Sequence, residues 1–195
     1  MTGIRQRARD ARGQSLIEFA LVLPLIMIVI LGVIEVSYAL LDQHVVTKLS
    51  REGSNLISRD TSLLDASTAM KNMSSGPVDF TTSSTVILSV IKDVNTAGAG
   101  NFNKAVLYQR YQMGAIAAVS ALTTLGGGAF GGAPDFLAAN SDNDANLQVT
   151  NLPANLIVPG GLLYVTEIFS KHPLITPFDK FGVQVPTTLY SIAYF

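Results

Sequence analysis

The sequence predicts an α+β protein in which a long N-terminal transmembrane helix continues as a stalk and packs on a small antiparallel sheet. Two observations support this fold. Residues 16–34 form an apolar run with a single charge, close to the roughly 20 residues that a helix needs to cross a bilayer. Four runs with strand-like composition follow within residues 85–195, which suits one modest globular domain after one membrane segment.

The predicted domain organisation follows the changes in composition along the chain. Residues 1–13 are a basic leader, 14–41 the transmembrane helix, and 42–75 a helical stalk with a short second helix. Residues 76–195 are an antiparallel β domain with an insertion at about 113–160. The chain has no cysteine, which excludes a disulfide framework and thiol chemistry but leaves the compartment open.

Basic residues are concentrated at the N-terminus. Four arginines precede the apolar run: Arg5, Arg7, Arg9 and Arg12. Positive charge beside a first membrane helix tends to stay in the cytoplasm, so we expect a single-pass protein of the inner membrane with an exported, periplasmic C-terminal domain. Acidic residues outnumber basic ones in the rest of the chain, and we therefore expect no nucleic-acid partner.

Glu18 is the one charge within the apolar run. A charge at the bilayer centre costs about 2.5 to 3.5 kcal/mol, whereas the fourteen Leu, Ile, Val and Phe residues of the run contribute roughly 4 to 8 kcal/mol, so the segment inserts. A secretory signal cut after Ala39 has too long an apolar core, and a plain signal anchor gives no reason for Glu18. A third interpretation must explain both the length of the apolar run and the presence of Glu18.

The arrangement around Glu18 resembles the TadE-like family of minor pilins in tight-adherence (Tad or Flp) pilus systems. The resemblance covers about residues 12–59 and rests on a series of motif positions in the family's order: Gly13, Glu18, Phe19, Ala20, Pro24, Glu35 and the Arg51-Glu52-Gly53 triplet. It implies a pilin-like architecture and a minor pilin or pseudopilin that supports initiation or assembly of an adhesive pilus. The implied partners are a prepilin peptidase, other pilin subunits, the Tad assembly machinery and the inner membrane.

The resemblance also implies roles for individual residues. A prepilin peptidase would cut between Gly13 and Gln14, and Glu18 and Phe19 would serve subunit assembly, with the Glu18 carboxylate neutralising the freed amine of a neighbouring subunit. Two opposite charges that are costly alone in an apolar core offset each other as a hydrogen-bonded pair. Pro24 should kink or locally open the helix, because it has no N–H for the Ala20 carbonyl.

Glu35 lies seventeen residues beyond Glu18, about 25 Å further along a helix. We expect it to be a solvated residue at the outer boundary of the membrane. The helix should then continue to Arg59 with one apolar stripe: Tyr38, Leu41, Val45, Leu49 and Leu56. Gly53 falls on this stripe and should allow the sheet to pack closely.

A second helix is predicted over residues 62–73, followed by strands over 85–94, 104–112, 162–169 and 183–195. The first strand should place Val86, Leu88, Val90 and Val94 on one face, and Pro186 belongs at an edge or a bulge. The insertion contains the glycine-rich tract of residues 126–134, which reads as a flexible loop. It could be a binding surface or a spacer, and we favour a spacer.

Other motifs are weak. Gly126, Gly128 and Gly131 have dinucleotide-binding spacing without a preceding strand, and Asp142, Asp144 and Asn146 open like a calcium loop that lacks its later ligands. His44 and His172 have no metal-ligand or nucleophile spacing. We expect no cofactor, no metal and no catalytic residue, and hence no enzyme. The remaining alternatives are a signal-anchored periplasmic binding domain with no filament role and a secreted protein cut after Ala39.

Overall fold

A computed structural model describes residues 3–153, 155–177, 180 and 186–195, with side chains from Gln14 onward. Its elements, in chain order, are α1 (Gly3–Ile57), α2 (Leu63–Met73), β1 (Ser84–Asp93), β2 (Ala105–Gly114), a 3-10 turn (Ala145–Leu147), β3 (Leu162–Lys171) and β4 (Thr188–Tyr194). The α+β class, the long helix, the short second helix and the four strands are confirmed. Strand β4 begins at Thr188, so Pro186 stands outside the described ladder, and residues 183–185 of the predicted strand lie outside the described residues.

The chain forms two compact units. The helical unit comprises Met1–Leu40 and Leu174–Val185, and the sheet unit comprises Leu41–Pro173 and Pro186–Phe195. Helix α1 contributes to both, since its residues up to Leu40 belong to one unit and the rest to the other. The connection between β3 and β4 therefore leaves the sheet unit for the helical unit and returns.

The sheet unit is built on four antiparallel strands in the order β2-β1-β3-β4. Central strand β1 is buried on both faces, because all of residues 84–91 are buried. Val86, Leu88 and Val90 share one face and one core cluster, as predicted. Val94 instead packs in the second cluster, because β1 ends at Asp93 and strand alternation no longer sets its direction.

The end of α1 covers the first face of the sheet with a narrow row in which small residues alternate with apolar ones. The buried positions are Val46, Leu49, Ser50, Gly53, Ser54 and Ile57. The predicted apolar stripe is wrong at its start, because Tyr38 and Leu41 are 48% and 58% exposed. Small side chains let the helix approach the strands closely. The face of α1 that packs on the sheet is therefore set partly by small residues, which a pattern of apolar residues alone does not reveal.

Gly53 stands where α1, α2 and β3 meet, which confirms its predicted role in close packing. A Cβ atom added there would lie 2.8 Å from Met70 Cε and 2.8 Å from Thr166 Cγ2. Neighbouring serines bind β4: Ser50 Oγ lies 2.9 Å from Ser191 Oγ, and Ser54 Oγ donates to the Ala193 carbonyl at 3.0 Å. Close approach and hydrogen bonds together fix this part of the helix on the sheet.

The predicted insertion covers the second face of the sheet. Leu122 and Leu147 are buried there with residues of β1, β2 and β3, and Ala138 N donates to the Tyr108 carbonyl at 2.7 Å. A Cβ atom on Gly128 would lie 2.0 Å from Leu147. The glycine-rich tract is therefore a packed cover and not the free loop that its composition predicts, because its missing side chains make room for Leu147.

Candidate assembly segment

The first part of α1 presents an apolar surface with no partner in the described chain. Every side chain of residues 14–30 is exposed, including Leu25 at 64% and Phe19 at 61%. The helix is long and apolar enough to cross a membrane, with a mean hydropathy of 2.8 in its most apolar stretch. Because exposed apolar surface in water is unfavourable in proportion to its area, this helix requires lipid or another apolar chain around it.

Glu18 lies on this apolar surface and binds within its own helix turn. Its Oε1 accepts a hydrogen bond from Gln14 Nε2 at 3.0 Å, between residues four apart on an exposed face. Gly13 belongs to the same continuous helix, whereas the leader side chains of residues 1–13, including the four arginines, lie outside the described side chains. The pair Gln14 and Glu18 thus places the residue expected to become the new N-terminus beside the carboxylate.

Pro24 lies inside α1, and the helix continues on both sides of it. Proline in a helix leaves the carbonyl four residues earlier without its usual N–H partner. Here that carbonyl belongs to Ala20. The kink or local opening stays a prediction.

Glu35 is buried, although the sequence predicted a residue in contact with solvent. It is 1% exposed, and its carboxylate accepts hydrogen bonds from the described residues of the β3–β4 connection. Oε2 accepts from Ile175 N at 3.2 Å, Thr176 N at 2.8 Å and Thr176 Oγ1 at 2.6 Å. The prediction of a solvated boundary residue is wrong, because two backbone amides and a hydroxyl from residues 140 positions away replace water.

A second buried polar contact joins α1 to the end of β3 within the sheet unit. His172 Nδ1 lies 2.7 Å from Asp42 Oδ2, and the histidine side chain is fully buried. Sequence spacing gave His172 no metal or nucleophile role, and the structure shows it holding the chain just after β3 against the helix.

Glu167 is the centre of a buried polar cluster that the sequence analysis did not identify. This fully buried carboxylate accepts hydrogen bonds from Ser120 Oγ, from Ala121 N at 2.7 Å and from Tyr190 OH at 3.0 Å. Ser120 Oγ in turn accepts from Arg110 Nη2 at 3.1 Å. The cluster cross-links the insertion, β2, β3 and β4, so its evident role is to hold the cover on the sheet.

The electrostatics of this cluster follow from its burial. Burial lowers the pKa of Arg110, and the nearby Glu167 carboxylate opposes that shift. Burial, with the same carboxylate, raises the pKa of Tyr190 far above its ordinary value. The sequence does contain one signal for this cluster, because Glu167 is the only acidic residue of β3. A carboxylate in a buried strand requires fixed donors around it.

Asp142 and Asp144, whose spacing resembles the start of a calcium loop, bind donors of the protein. Asp142 Oδ1 binds Lys92 Nζ at 2.9 Å, and this lysine holds the pKa of Asp142 below its ordinary value. Asp144 Oδ1 accepts from Asn146 N at 3.0 Å at the start of the 3-10 turn. Within the described part of the chain, no three acidic or histidine residues are arranged to hold a metal.

Residues 13–55 match the family described as "TadE-like protein". The chain is TadE-like in this segment. The match begins at Gly13, includes Glu18, Pro24 and Glu35, and ends just after Gly53. It associates the chain with the Tad pilus system and, with the apolar helix, indicates a single-pass membrane anchor. Neither a curated protein nor a solved structure is significantly similar to the chain.

The TadE-like segment covers less than a quarter of the 195 residues. It contains every residue that the sequence analysis assigned to processing or assembly: Gly13, Gln14, Glu18, Phe19 and Pro24. The structure brings Gln14 and Glu18 together and leaves Phe19 exposed. The donors that bind Glu35 and Glu167 lie outside this segment, where the family match gives no guidance.

Proposed function

We propose that the chain is a minor pilin or pseudopilin of a Tad (Flp) pilus, processed by a prepilin peptidase and required for initiation or assembly of the filament. One observation carries this proposal: the TadE-like match begins at Gly13 and continues into an exposed apolar helix that carries Glu18. A soluble domain has no use for such a helix, and a simple anchor has no use for an acid within it.

Processing would hydrolyse the peptide bond between Gly13 and Gln14, which frees an amine at Gln14. The basic leader would stay on the cytoplasmic side, and the sheet unit would be periplasmic and later part of the filament. Until the processed chain enters the filament, the bilayer would hold it as a single-pass protein of the inner membrane.

After the cut, the new amine and the Glu18 carboxylate would pair between neighbouring subunits. Among the described side chains of the uncut chain, Glu18 accepts a hydrogen bond from a neutral donor, the Gln14 amide, at 3.0 Å. An ammonium would be a stronger partner, because it adds the Coulomb attraction of two opposite charges to the hydrogen bond. Packing of neighbouring helices in the filament would bring the two charges together, so that each offsets the cost of burying the other.

The sheet unit supports a minor role in the filament. The resemblance implies that major Flp pilins are much shorter chains with little exported domain, whereas residues 41–173 and 186–195 here form a substantial folded unit. The protein would act by assembly and not by catalysis, with other pilin subunits and the Tad assembly machinery as partners. The competing function is a signal-anchored periplasmic binding domain.

The charge-pair step is tested by Glu18→Ala and Glu18→Gln in the native host, with Glu52→Ala as the matched control. Glu52 lies on the same helix and in the same family segment but is exposed in the sheet unit. Processing is followed by the mass of the membrane-bound chain, and assembly by its amount in sheared pili.

Both Glu18 variants should be cut as the wild type is, yet enter the filament poorly, and Glu52→Ala should behave as the wild type in both assays. Glu18→Gln separates charge from shape, because its amide still bonds Gln14 but cannot neutralise an amine. Normal incorporation of both Glu18 variants would refute the charge-pair step.

A further inference from the structure

The buried Glu35 marks the outer end of the membrane-spanning part of α1. The apolar run from Leu16 to Ile34 has nineteen residues, or about 28 Å of helix at 1.5 Å per residue. The hydrocarbon core of a bilayer is about 30 Å thick. Glu35 follows this run directly, so a helix that spans the bilayer places Glu35 where hydrocarbon gives way to headgroups.

Residues 174–177 are attached to α1 at this level. The consecutive backbone amides of Ile175 and Thr176 and the Thr176 hydroxyl all donate to the Glu35 carboxylate. Hydrogen bonds to an ionised acceptor are strong, and three donors on adjacent atoms orient the backbone as well as hold it. The same residues belong to the helical unit rather than to the sheet unit, although they connect two strands.

The attached residues expose apolar side chains. Ile175 is 53% exposed even though its backbone is fixed on Glu35, and Pro177 is exposed beside it, whereas Thr176 is only 5% exposed. The polar groups of the segment thus bind the helix and its apolar groups remain uncovered. At the same level of α1 the helix itself exposes apolar side chains, since Val33 and Val36, which precede and follow Glu35 in sequence, are 62% and 59% exposed.

We propose that residues 174–177 are a second membrane contact, in which Ile175 lies in the interface between headgroups and hydrocarbon and Glu35 is the positioning residue that holds it there. Lipid is the occupant because the site adjoins the lipid-covered helix at the depth where the bilayer ends. Apolar side chains at this depth contribute their buried area to membrane binding. The contact would fix the depth of α1 in the outer leaflet. It requires the membrane anchor but not the pilus function proposed above.

The test uses the full chain in vesicles of phosphatidylethanolamine and phosphatidylglycerol, without any Tad component, so that a failure of pilus assembly cannot affect it. The chain has no cysteine, so Ile175→Cys carries the only thiol and takes one environment-sensitive fluorophore. Val158→Cys, in a 70% exposed position of the sheet unit, is the matched control.

We expect the label at position 175 to emit at shorter wavelength than the label at position 158 and to be quenched more strongly by a lipid with a nitroxide near its headgroup. In the unlabelled variants, the thiol at position 175 should react several-fold more slowly with a water-soluble thiol reagent than the thiol at position 158. Equal quenching and equal reactivity at the two positions would overturn the proposal. Protection that disappears when protein is diluted in lipid would also overturn it, since it would assign the surface to a second chain.

The role of Glu35 is tested by adding Glu35→Ala to Ile175→Cys, with circular dichroism and membrane recovery as checks of folding. Protection at position 175 should be lost. Thr176→Val is the milder variant, because it removes one hydroxyl donor and keeps the shape, and it should reduce protection partly. Full protection in both variants would show that Glu35 does not position the contact.

Discussion

The two parts of α1 contrast within one continuous helix. Residues 14–30 expose every side chain, whereas residues 46–57 bury a row of small and apolar side chains under their own sheet. The first part depends on a partner outside the chain, and the second part has found its partner within the fold. Both parts are helical, and they differ in what covers their apolar side chains. The sheet of the same chain covers residues 46–57, whereas residues 14–30 need a partner outside the chain.

The two glutamates of the helix show the same contrast at single-residue scale. Glu18 is exposed and, among the described side chains, binds Gln14, four residues away, whereas Glu35 is buried and accepts from donors 140 and 141 residues away in sequence. An acid that the chain itself satisfies is structural, and an acid left on an apolar surface is available to another molecule. This difference supports an intermolecular role for Glu18.

The largest expected effect compares Leu49→Ala with Leu25→Ala. Leu49 is 7% exposed under the sheet, and Leu25 is 64% exposed in the first part of the helix. Truncation of a buried leucine should lower the free energy of unfolding of the sheet unit by about 2 to 5 kcal/mol, and Leu25→Ala should change it by less than about 0.5 kcal/mol. Denaturation in detergent, followed by tyrosine fluorescence, measures both. Equal losses would contradict the contrast.

Gly53→Ala should be the next largest effect. The new Cβ would lie 2.8 Å from Thr166 Cγ2 and from two atoms of Met70. Overpacking costs about 1 to 3 kcal/mol, and the better helix propensity of alanine offsets up to about 1 kcal/mol of this. Because Met70 supplies two of the three contacts, the double variant with Met70→Ala should lose less stability than the two single variants together. A stabilised Gly53→Ala would contradict the observed packing.

Much of the secondary structure and part of the packing can be predicted from the sequence. The apolar run, the alternation in β1 and the glycine on the packed face predicted the helix, the strands and the close approach at Gly53. The contacts of Glu35 and Glu167 did not follow, because their partners lie far away in sequence and leave no periodic signal. The packed insertion was also missed, since glycine-rich composition is the same in a free loop and in a tract that makes room for Leu147.

A smaller effect compares two serines of α1. Ser54 Oγ donates to the Ala193 carbonyl in the buried helix–sheet contact, whereas Ser37 Oγ donates to the Val33 carbonyl of its own helix and is exposed. Ser54→Ala should lower the free energy of unfolding of the sheet unit by about 1 kcal/mol, and Ser37→Ala should leave it unchanged. The same denaturation curves give the result, and a loss in Ser37→Ala alone would reverse the assignment of the two regions.

The smallest effect concerns alkaline pH and again separates the two regions. Burial and the Glu167 carboxylate raise the pKa of Tyr190 above its ordinary value of 10.0. The folded chain then keeps a proton that the unfolded chain releases, so the stability of the sheet unit should fall as the pH rises above about 10. Tyr190→Phe should make this fall less steep, with Tyr164 and Tyr194 maintaining part of it, since their pKa values are raised too. Tyr38→Phe, on the exposed part of α1, is the control, and an unchanged slope in Tyr190→Phe would contradict the assignment.

The mass of the mature N-terminus, measured on protein from native membranes, shows directly whether the chain is processed as a pilin. The proposed pilin function predicts a chain that starts at Gln14, because processing by a prepilin peptidase would cut the bond between Gly13 and Gln14. An intact Met1 would contradict this and favour a plain anchor. A start at Leu40 would contradict it more severely, since ordinary secretion would discard the exposed helix altogether.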